Sequence, residues 1–496
     1  MLRRIRITLA ALFYTGITLL LLDFTGTLHA WLGWMAKVQL LPAVLALNVA
    51  VIVLLAVLTL VFGRIYCSVI CPLGVMQDLV AHLHSWHKKN RYTYSPELRW
   101  VRYPVLVLFA LAVVAGIGSV VALLDPYGSY GRMVVSMVQP LYLWANNLLA
   151  SVAERADSYA FYSVDVWLRS LPTLCVAAVS FAVVAVLAWR GGRTYCNTIC
   201  PVGTLLGMLS RFSLMRVYFN VEKCRNCSLC SRNCKASCID YKNHRVDHSR
   251  CVSCGNCIEK CNHGALHYGF LPGLLKKQSA EATTEQPSSR RAFLLSSTLL
   301  ASGALAQSKQ DAHGGLAAIE EKAIPNRLTP LTPPGSMSAQ HMAHHCTACQ
   351  LCVAQCPNDV LRPSANLLTF MQPTMEYERG YCRPECTRCS EVCPTGAIKP
   401  ITPAEKTAVQ IGHAVWVRKN CLVLTDGVAC GNCFRHCPTG AIEMVPSNPN
   451  DDESPYIPAV NEAACIGCGA CEHLCPARPF PAIYVEGHEV HWRAVP

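Results

Sequence analysis

The stretch CTACQLCVAQCP, residues 346–357, reads C-x2-C-x2-C-x3-C-P, and CIGCGACEHLCP, residues 465–476, repeats it. Two looser versions stand between them. Cys382, Cys386, Cys389 and Cys393 read C-x3-C-x2-C-x3-C, and Cys421, Cys430, Cys433 and Cys437 read C-x8-C-x2-C-x3-C. With Cys346, Cys349, Cys352, Cys356 and Cys465, Cys468, Cys471, Cys475 they make sixteen cysteines in four groups. A proline closes each group: Pro357, Pro394, Pro438 and Pro476. Three thiolates on one tight loop wrap one face of a [4Fe–4S] cubane, and the fourth ligand arrives from a neighbouring group. The proline stiffens the end of the loop, because its φ is fixed and it has no N–H. Structural zinc asks for separated pairs of ligands, not three within seven residues. A disulfide framework has no reason to repeat this spacing. The spacing leaves the partnership open: first group with fourth and second with third, or sequential pairing.

The rest of the composition points to a membrane. The chain has 496 residues, a length suited to about three domains. It carries 30 cysteines, is 52% hydrophobic and has a mean hydropathy of +0.28. The net charge of +12 does not indicate nucleic acid, because the basic residues flank apolar spans and no nucleic-acid motif accompanies them.

Residues 1–220 read as an α-helical membrane domain. Four apolar stretches, 8–22, 41–62, 104–124 and 171–189, approach the ~20 residues that a spanning helix needs, the first being short. Arg3, Arg4 and Arg6 precede the first. Arg64, Lys88, Lys89, Arg91, Arg99 and Arg102 lie between the second and third, and Arg190, Arg193, Arg211 and Arg216 follow the fourth. The positive-inside rule places both ends of this domain in the cytoplasm. GRIYCSVICPLG, residues 63–74, returns as GRTYCNTICPVG at 192–203. The domain is therefore a tandem repeat of a two-helix unit. Each copy carries C-x3-C-P, so Cys67, Cys71, Cys196 and Cys200 are candidates for a further cluster or a redox pair, against simple packing of small thiols. Cys175 reads as packing. Asp125 opens an outward loop, 125–170, and is a candidate proton acceptor or a helix terminator. Asp23 has a weaker claim to the same role.

Residues 221–275 form a second, smaller cysteine module. Cys224, Cys227, Cys230, Cys234 and Cys251, Cys254, Cys257, Cys261 both read C-x2-C-x2-C-x3-C. The crossed rule gives one cluster Cys224, Cys227, Cys230 and Cys261, and the other Cys251, Cys254, Cys257 and Cys234. Lys235 and Asn262 replace the usual proline, and Cys238 is an extra thiol able to stand in for Cys234. Residues 276–310 are a polar linker followed by Arg290-Arg291, a weakly apolar run and Ala304-Leu305-Ala306, the pattern of a twin-arginine (Tat) export signal or anchor. Tat carries folded proteins, which suits a cargo whose clusters are inserted beforehand. Beyond a connector, residues 336–496 form the four-group domain. Pro-Thr-Gly-Ala-Ile follows both Cys393 and Cys437 and reads each time as the start of a strand. His344, His345, His413, His436 and His473 lie near the cysteines but are not needed as ligands.

The four spans, the two C-x3-C-P motifs and the two-cluster module of residues 1–271 resemble NapH-type membrane ferredoxins. Residues 289–496, with twin arginines and four cysteine groups, resemble NapG/MauM-type exported polyferredoxins. The resemblance implies a fusion of the two: a four-span membrane domain plus two ferredoxin-like α+β iron–sulfur domains. It implies six [4Fe–4S] clusters, or seven with the C-x3-C-P thiols, and quinol as substrate. Implied partners are membrane lipid, the quinone pool, the Tat translocon, and a periplasmic reductase or c-type cytochrome. The implied location is the inner membrane, with the N-terminus in the cytoplasm and the four-group domain in the periplasm. Two other functions fit the same residues: a redox maturation factor for a periplasmic enzyme, and an outward relay from a cytoplasmic ferredoxin. No hydrolase triad, P-loop or dinucleotide fingerprint is present.

Overall fold

The computed structural model describes residues 2–87, 92–158, 161–270, 320–451 and 454–493. The linker and the twin-arginine segment lie outside the described residues. The first part of the chain is helical: α1 (Leu2–Leu22), α2 (His29–Lys37), α3 (Leu40–Leu45), α4 (Val49–Phe62), α5 (Tyr66–Val69), α6 (Pro72–His87), α7 (Arg99–Ala115) and α8 (Gly118–Leu124). Next come α9 (Pro126–Met133), a π turn (Val134–Val138), α10 (Gln139–Arg155), α11 (Leu171–Gly191), α12 (Thr194–Thr198) and α13 (Pro201–Ser210).

Among the described residues, two helices are long and apolar enough to cross a membrane, Arg3–Leu22 and Leu171–Gly191. The other two expected spans are interrupted. The stretch 41–62 breaks between α3 and α4, where Asn48 caps the new helix by accepting from Val51 N at 3.3 Å. The stretch 104–124 breaks between α7 and α8 at Gly116, whose φ of 70° ends α7 in the left-handed conformation. The expected loop 125–170 is largely helix instead. Asp125-Pro126 starts it as an N-cap followed by proline at the first helical position, and α9, the π turn and α10 run on without a break.

Residues 215–270 form a small α+β unit. Strand β1 (Met215–Phe219) pairs antiparallel with the last strand of the unit, β4 (Leu266–Phe270), while β2 (Ile239–Asp240) pairs with β3 (Arg245–Val246). The unit has its own core, around Val217, Ile239 and Leu266. The later domain adds β5 (Leu361–Pro363) with β6 (Pro373–Met375), β7 (Val409–Trp416) with β10 (Ile483–Arg493), and β8 (Ile442–Pro446) with β9 (Tyr456–Val460). Strand β8 begins at the second Pro-Thr-Gly-Ala-Ile, as expected. The first copy makes no strand: it stays a turn in which Ile398 N points at Cys393 Sγ, 3.5 Å away.

The helices run between the two cysteine domains. At the start of α1, Arg3 pairs with Glu259 of the small unit; just beyond its end, Gly26 packs against the Arg388 side chain of the later domain. At the start of α7, Arg102 donates to Ser249 O at 3.1 Å, and beyond its end Gly116 lies against the His344 ring. Helix α11 runs the other way. Its Val176 packs with Ala348 and Met371, and Gly192 at its far end abuts Lys235. Cys175 does not pack as expected but is exposed on α11.

Candidate functional site

In the small unit the first cysteine loop turns through left-handed Asn226 (φ 52°) and Ser228 (φ 59°). Cys224, Cys227 and Cys230 thereby line a cavity of about 350 Å³, and the fourth cysteine on its wall is Cys261. The fold thus brings together the four cysteines that the crossed rule groups. Cys251, Cys254 and Cys257 neighbour Cys234. Cys238 Sγ stands 3.5 Å from Cys234 Sγ and also bonds Cys251. Its thiol, together with backbone N–H groups, holds Cys234 below the ordinary thiol range. Cys238 thus stands as a hydrogen-bonding partner of Cys234 rather than apart from it.

The later domain resolves the pairing. Cys346, Cys349 and Cys352 neighbour Cys393. Cys382, Cys386 and Cys389 share a cavity of about 370 Å³ with Cys356. Cys421, Cys430 and Cys433 line another with Cys475, and Cys465, Cys468 and Cys471 a third with Cys437. Of the two open arrangements, the sequential one is realised: first group crossed with second, third with fourth. Among the described residues no three His, Cys, Asp or Glu side chains close on one point as a single ion's ligands do; the thiols line cavities, which suits a multi-iron cluster. Backbone N–H groups face the sulfurs: Ala348 N to Cys346 at 3.4 Å, Ala482 N to Cys475 at 3.2 Å and Ala265 N to Cys261 at 3.2 Å. Such bonds stabilise anionic sulfur and raise a cluster's potential. The histidines are spoken for elsewhere. His345 faces His341 O, His436 faces Asn432 O, His473 faces Tyr377 O and His413 faces His488, while His344 lies at Gly116.

The four C-x3-C-P thiols meet at the centre. Cys67, Cys71, Cys196 and Cys200 are each at most 3% exposed, and each repeat's arginine reaches into the other. Arg64 donates to Cys196 O at 3.2 Å and to Asn197 Oδ1 at 2.9 Å, and it stands 3.6 Å from Cys67 Sγ. Arg193 donates to Cys67 O. Gln77 Nε2 points at Cys196 Sγ, 3.2 Å away. Gly74 and Gly203 are needed here, because a Cβ would stand 2.3 Å from Cys67 O and 2.2 Å from Cys196 O. The repeated Gly-Arg…Cys-Pro-x-Gly pattern is thus the sequence trace of a reciprocal clasp. Sequence reading missed Asp78, which accepts from Arg193 at 2.7 and 2.8 Å, from Arg6 at 3.1 Å and from Lys235. Burial alone would raise its carboxyl, but the three cations hold it well below the usual range. Lys235 therefore does more than loosen a turn: it ties the small unit to α6.

The sites form a line. Cys251 neighbours Arg64 of the thiol centre, and Tyr66 and Tyr195 of that centre neighbour Asp125. Asp125 neighbours Cys349, and α9 lies on that cysteine loop: Gly131 abuts Cys349 O, and Arg132 donates to Ala348 O at 3.3 Å. Cys352 neighbours Cys389, Cys382 N donates to Cys468 O at 2.9 Å, and Cys471 neighbours Cys433. Asp125 itself is fully buried and caps α9, accepting from Gly128 N at 2.6 Å; burial pushes its carboxyl up to about 6. Asp23 is a turn residue, accepting from the backbone of Thr25, Gly26 and Leu28.

Comparison with known proteins agrees with the cysteine chemistry. A family profile described as "4Fe-4S binding domain" matches residues 44–91 and 174–219, which hold the two C-x3-C-P motifs. Profiles described as "4Fe-4S dicluster domain" match residues 247–360 and 428–478. The chain is 33% identical over 167 residues to the methylamine utilization ferredoxin-type protein MauM of Paracoccus denitrificans, covering 32% of this chain and 73% of that one. It is 31% identical over 164 residues to the ferredoxin-type protein NapG of Escherichia coli, covering 31% and 69%. To the putative electron transport protein YccM of E. coli it is 26% identical over 226 residues, covering 45% and 55%. No solved structure matches.

Proposed function

This chain belongs to the ferredoxin-type [4Fe–4S] electron-transfer proteins, and from that premise we propose that it is a membrane quinol dehydrogenase module. In this reading it fuses a NapH-type four-span part with a NapG/MauM-type exported part. Electrons from a lipid-soluble quinol reach an oxidoreductase outside the cytoplasm, of the kind that reduces nitrate. The twin arginines at 290 and 291 send the later domain across. Bound clusters supply one-electron carriers; the chain's own residues space and insulate them.

One observation carries the reading. The two cysteine domains sit at opposite ends of the same helices, Glu259 at the foot of α1 and Arg388 at its head. A helix of 21 residues is about 31 Å long, close to the ~30 Å hydrocarbon core of a bilayer. Cys421, Cys430 and Cys433 lie at the end of the line beside exposed Val428 and Phe434, an apolar patch suited to a docking acceptor. The test uses sealed membranes holding the full chain under anaerobic conditions. A reduced naphthoquinone should bleach the clusters' visible absorbance, and the domain after residue 320 should be open to protease only from the outer side. Reduction by soluble low-potential donors alone overturns the reading. That result would favour an outward relay from a cytoplasmic ferredoxin, which the exposure of Cys227 at the far end of the line also suits.

A further inference from the structure

A cavity lies between the helices and the first cysteine loop of the later domain. It encloses about 480 Å³ of space between side chains, part of it open to solvent. One wall is the π turn and the start of α10: Val135, Ser136 and Gln139. A π turn inside a helix is frequent at functional sites. The facing wall is Trp167, Arg169 and Thr173. The floor is Gln350, which stands between Cys349 and Cys352 with φ 62°.

Gln350 makes this cavity a candidate for a ligand. It is 2% exposed and its Nε2 has no hydrogen-bond partner. A buried amide donor without an acceptor is rare and asks for one. The neighbouring polar groups are, by contrast, satisfied: Arg169 donates to Gln139 Oε1 at 2.8 Å, and Gln139 Nε2 to Ala354 O at 3.4 Å. Trp167 is held by Arg362 and Arg379, whose guanidinium carbons lie 4.5 and 4.6 Å from its ring centre. It offers a fixed aromatic wall. The exposed carboxylate of Asp165 stands on the rim. Leu141, Leu168 and Leu171, all more than half exposed, surround the site with apolar surface that a lipid-soluble molecule can cross.

We infer that this cavity binds the ring of a membrane quinol, with Gln350 Nε2 donating to one ring oxygen; the inference rests on the quinol reading above. Oxidation there breaks the two O–H bonds of the quinol and leaves the quinone. The two protons pass by way of Asp165 to the water on the side of the later domain. Cys346, Cys349, Cys352 and Cys393, beside Gln350, would hold an oxidised [4Fe–4S] cluster able to take one of the two electrons, and Cys356, Cys382, Cys386 and Cys389 a second cluster able to take the other. Protons are thus released on the outer face, and the small unit lies off the path.

The test is photolabelling of the full chain in nanodiscs with an azido-naphthoquinone bearing an isoprenoid tail. Saturable labelling should map to the peptides around Ser136–Gln139 or Trp167–Thr173. Ser136→Trp, which fills the cavity, and Gln350→Leu, which removes the donor, should each weaken labelling about tenfold or more. Iron content and dithionite reduction of the clusters should be unchanged, which separates loss of binding from loss of fold. Saturable labelling that maps instead to the Cys67 or Cys196 peptides overturns this site and leaves the quinol reading standing. No saturable labelling anywhere overturns both.

Discussion

Replacing Asp78 by Asn tests the joint on which the interior depends. The carboxylate meets Arg193, Lys235 and Arg6, whose side chains are 0%, 8% and 9% exposed. Each comes from a different element: α6 supplies Asp78, the turn before α12 supplies Arg193, the small unit Lys235 and α1 Arg6. The neutral amide leaves three buried cations facing one another. Breaking a buried pair by removing one partner costs about 3–5 kcal/mol. At about 2–4 °C per kcal/mol for a domain of this size, the midpoint of thermal unfolding should fall by about 6–20 °C. The assay is thermal unfolding of the purified chain in detergent, followed across pH. Because Asp78 is held well below its ordinary 3.8, its contribution is fully present above that value and is lost progressively as pH falls from there toward its lowered folded value. The gap between wild type and variant should therefore be level from about pH 8 to pH 5 and close below about pH 4. Hydrogen exchange gives an independent readout, since Arg193 N donates to Lys235 O at 2.8 Å and should exchange faster once the small unit loosens. A midpoint within 2 °C of wild type at neutral pH would refute the claim that the charge network holds these elements together.

Three further outcomes are expected. Cys393→Ser should remove about four irons, and combining it with Cys352→Ser should remove no more, whereas combining it with Cys356→Ser should remove about eight; iron assay and electron paramagnetic resonance decide, and additive loss in the first pair would undo the crossed pairing. Asp125 is raised by burial from 3.8 to about 6, so the stability present while it is neutral in both states falls by about 3 kcal/mol as pH rises from about 4 to about 6. Asp125→Asn keeps an oxygen for the cap of α9, so its unfolding midpoint should stay level between about pH 4 and pH 6 while that of wild type drops; parallel curves would count against a buried titrating carboxyl. Arg290→Lys with Arg291→Lys should strand the later domain in the cytoplasm, read by protease protection in spheroplasts, and continued export would exclude the twin-arginine route.

The sequence made the cysteine chemistry legible because cluster ligation demands particular residues at particular spacings. It did not make the pairing legible, since a C-x2-C-x2-C loop has the same spacing whichever fourth thiol it receives. Only the packing of the Cys346 loop against Cys393 decides that. The repeat at 63–74 and 192–203 was readable, but the reason for its glycines and arginines was not. That reason is a contact across 129 residues in which each copy clasps the other's carbonyl. The helix breaks at Asn48 and Gly116 were missed because hydropathy averages over them, whereas a single cap or left-handed residue suffices to end a helix. The same averaging hid α9 and α10, although Asp125-Pro126 is an ordinary helix start. Lys235 looked like a departure from the usual proline. Its value appears only once Asp78, 157 residues away, is beside it.

These long-range contacts also set the spacing of the cysteine sites. The thiol centre and the first site of the later domain are separated by α9, whose Ser129, Gly131 and Arg132 are all buried. Gly131 is there because a Cβ would stand 2.4 Å from Cys349 O. Any larger residue would push the helix off the cysteine loop and widen the gap between the two sites. The opposite joint is set by the same means, since Gly192 abuts Lys235 O, where a Cβ would stand at 2.5 Å. Small residues at both joints let backbone meet backbone, so the spacing between sites is fixed by main-chain contact rather than by side chains that can change rotamer. Close backbone contact at Gly131 and Gly192 therefore sets how far apart the three cysteine sites lie.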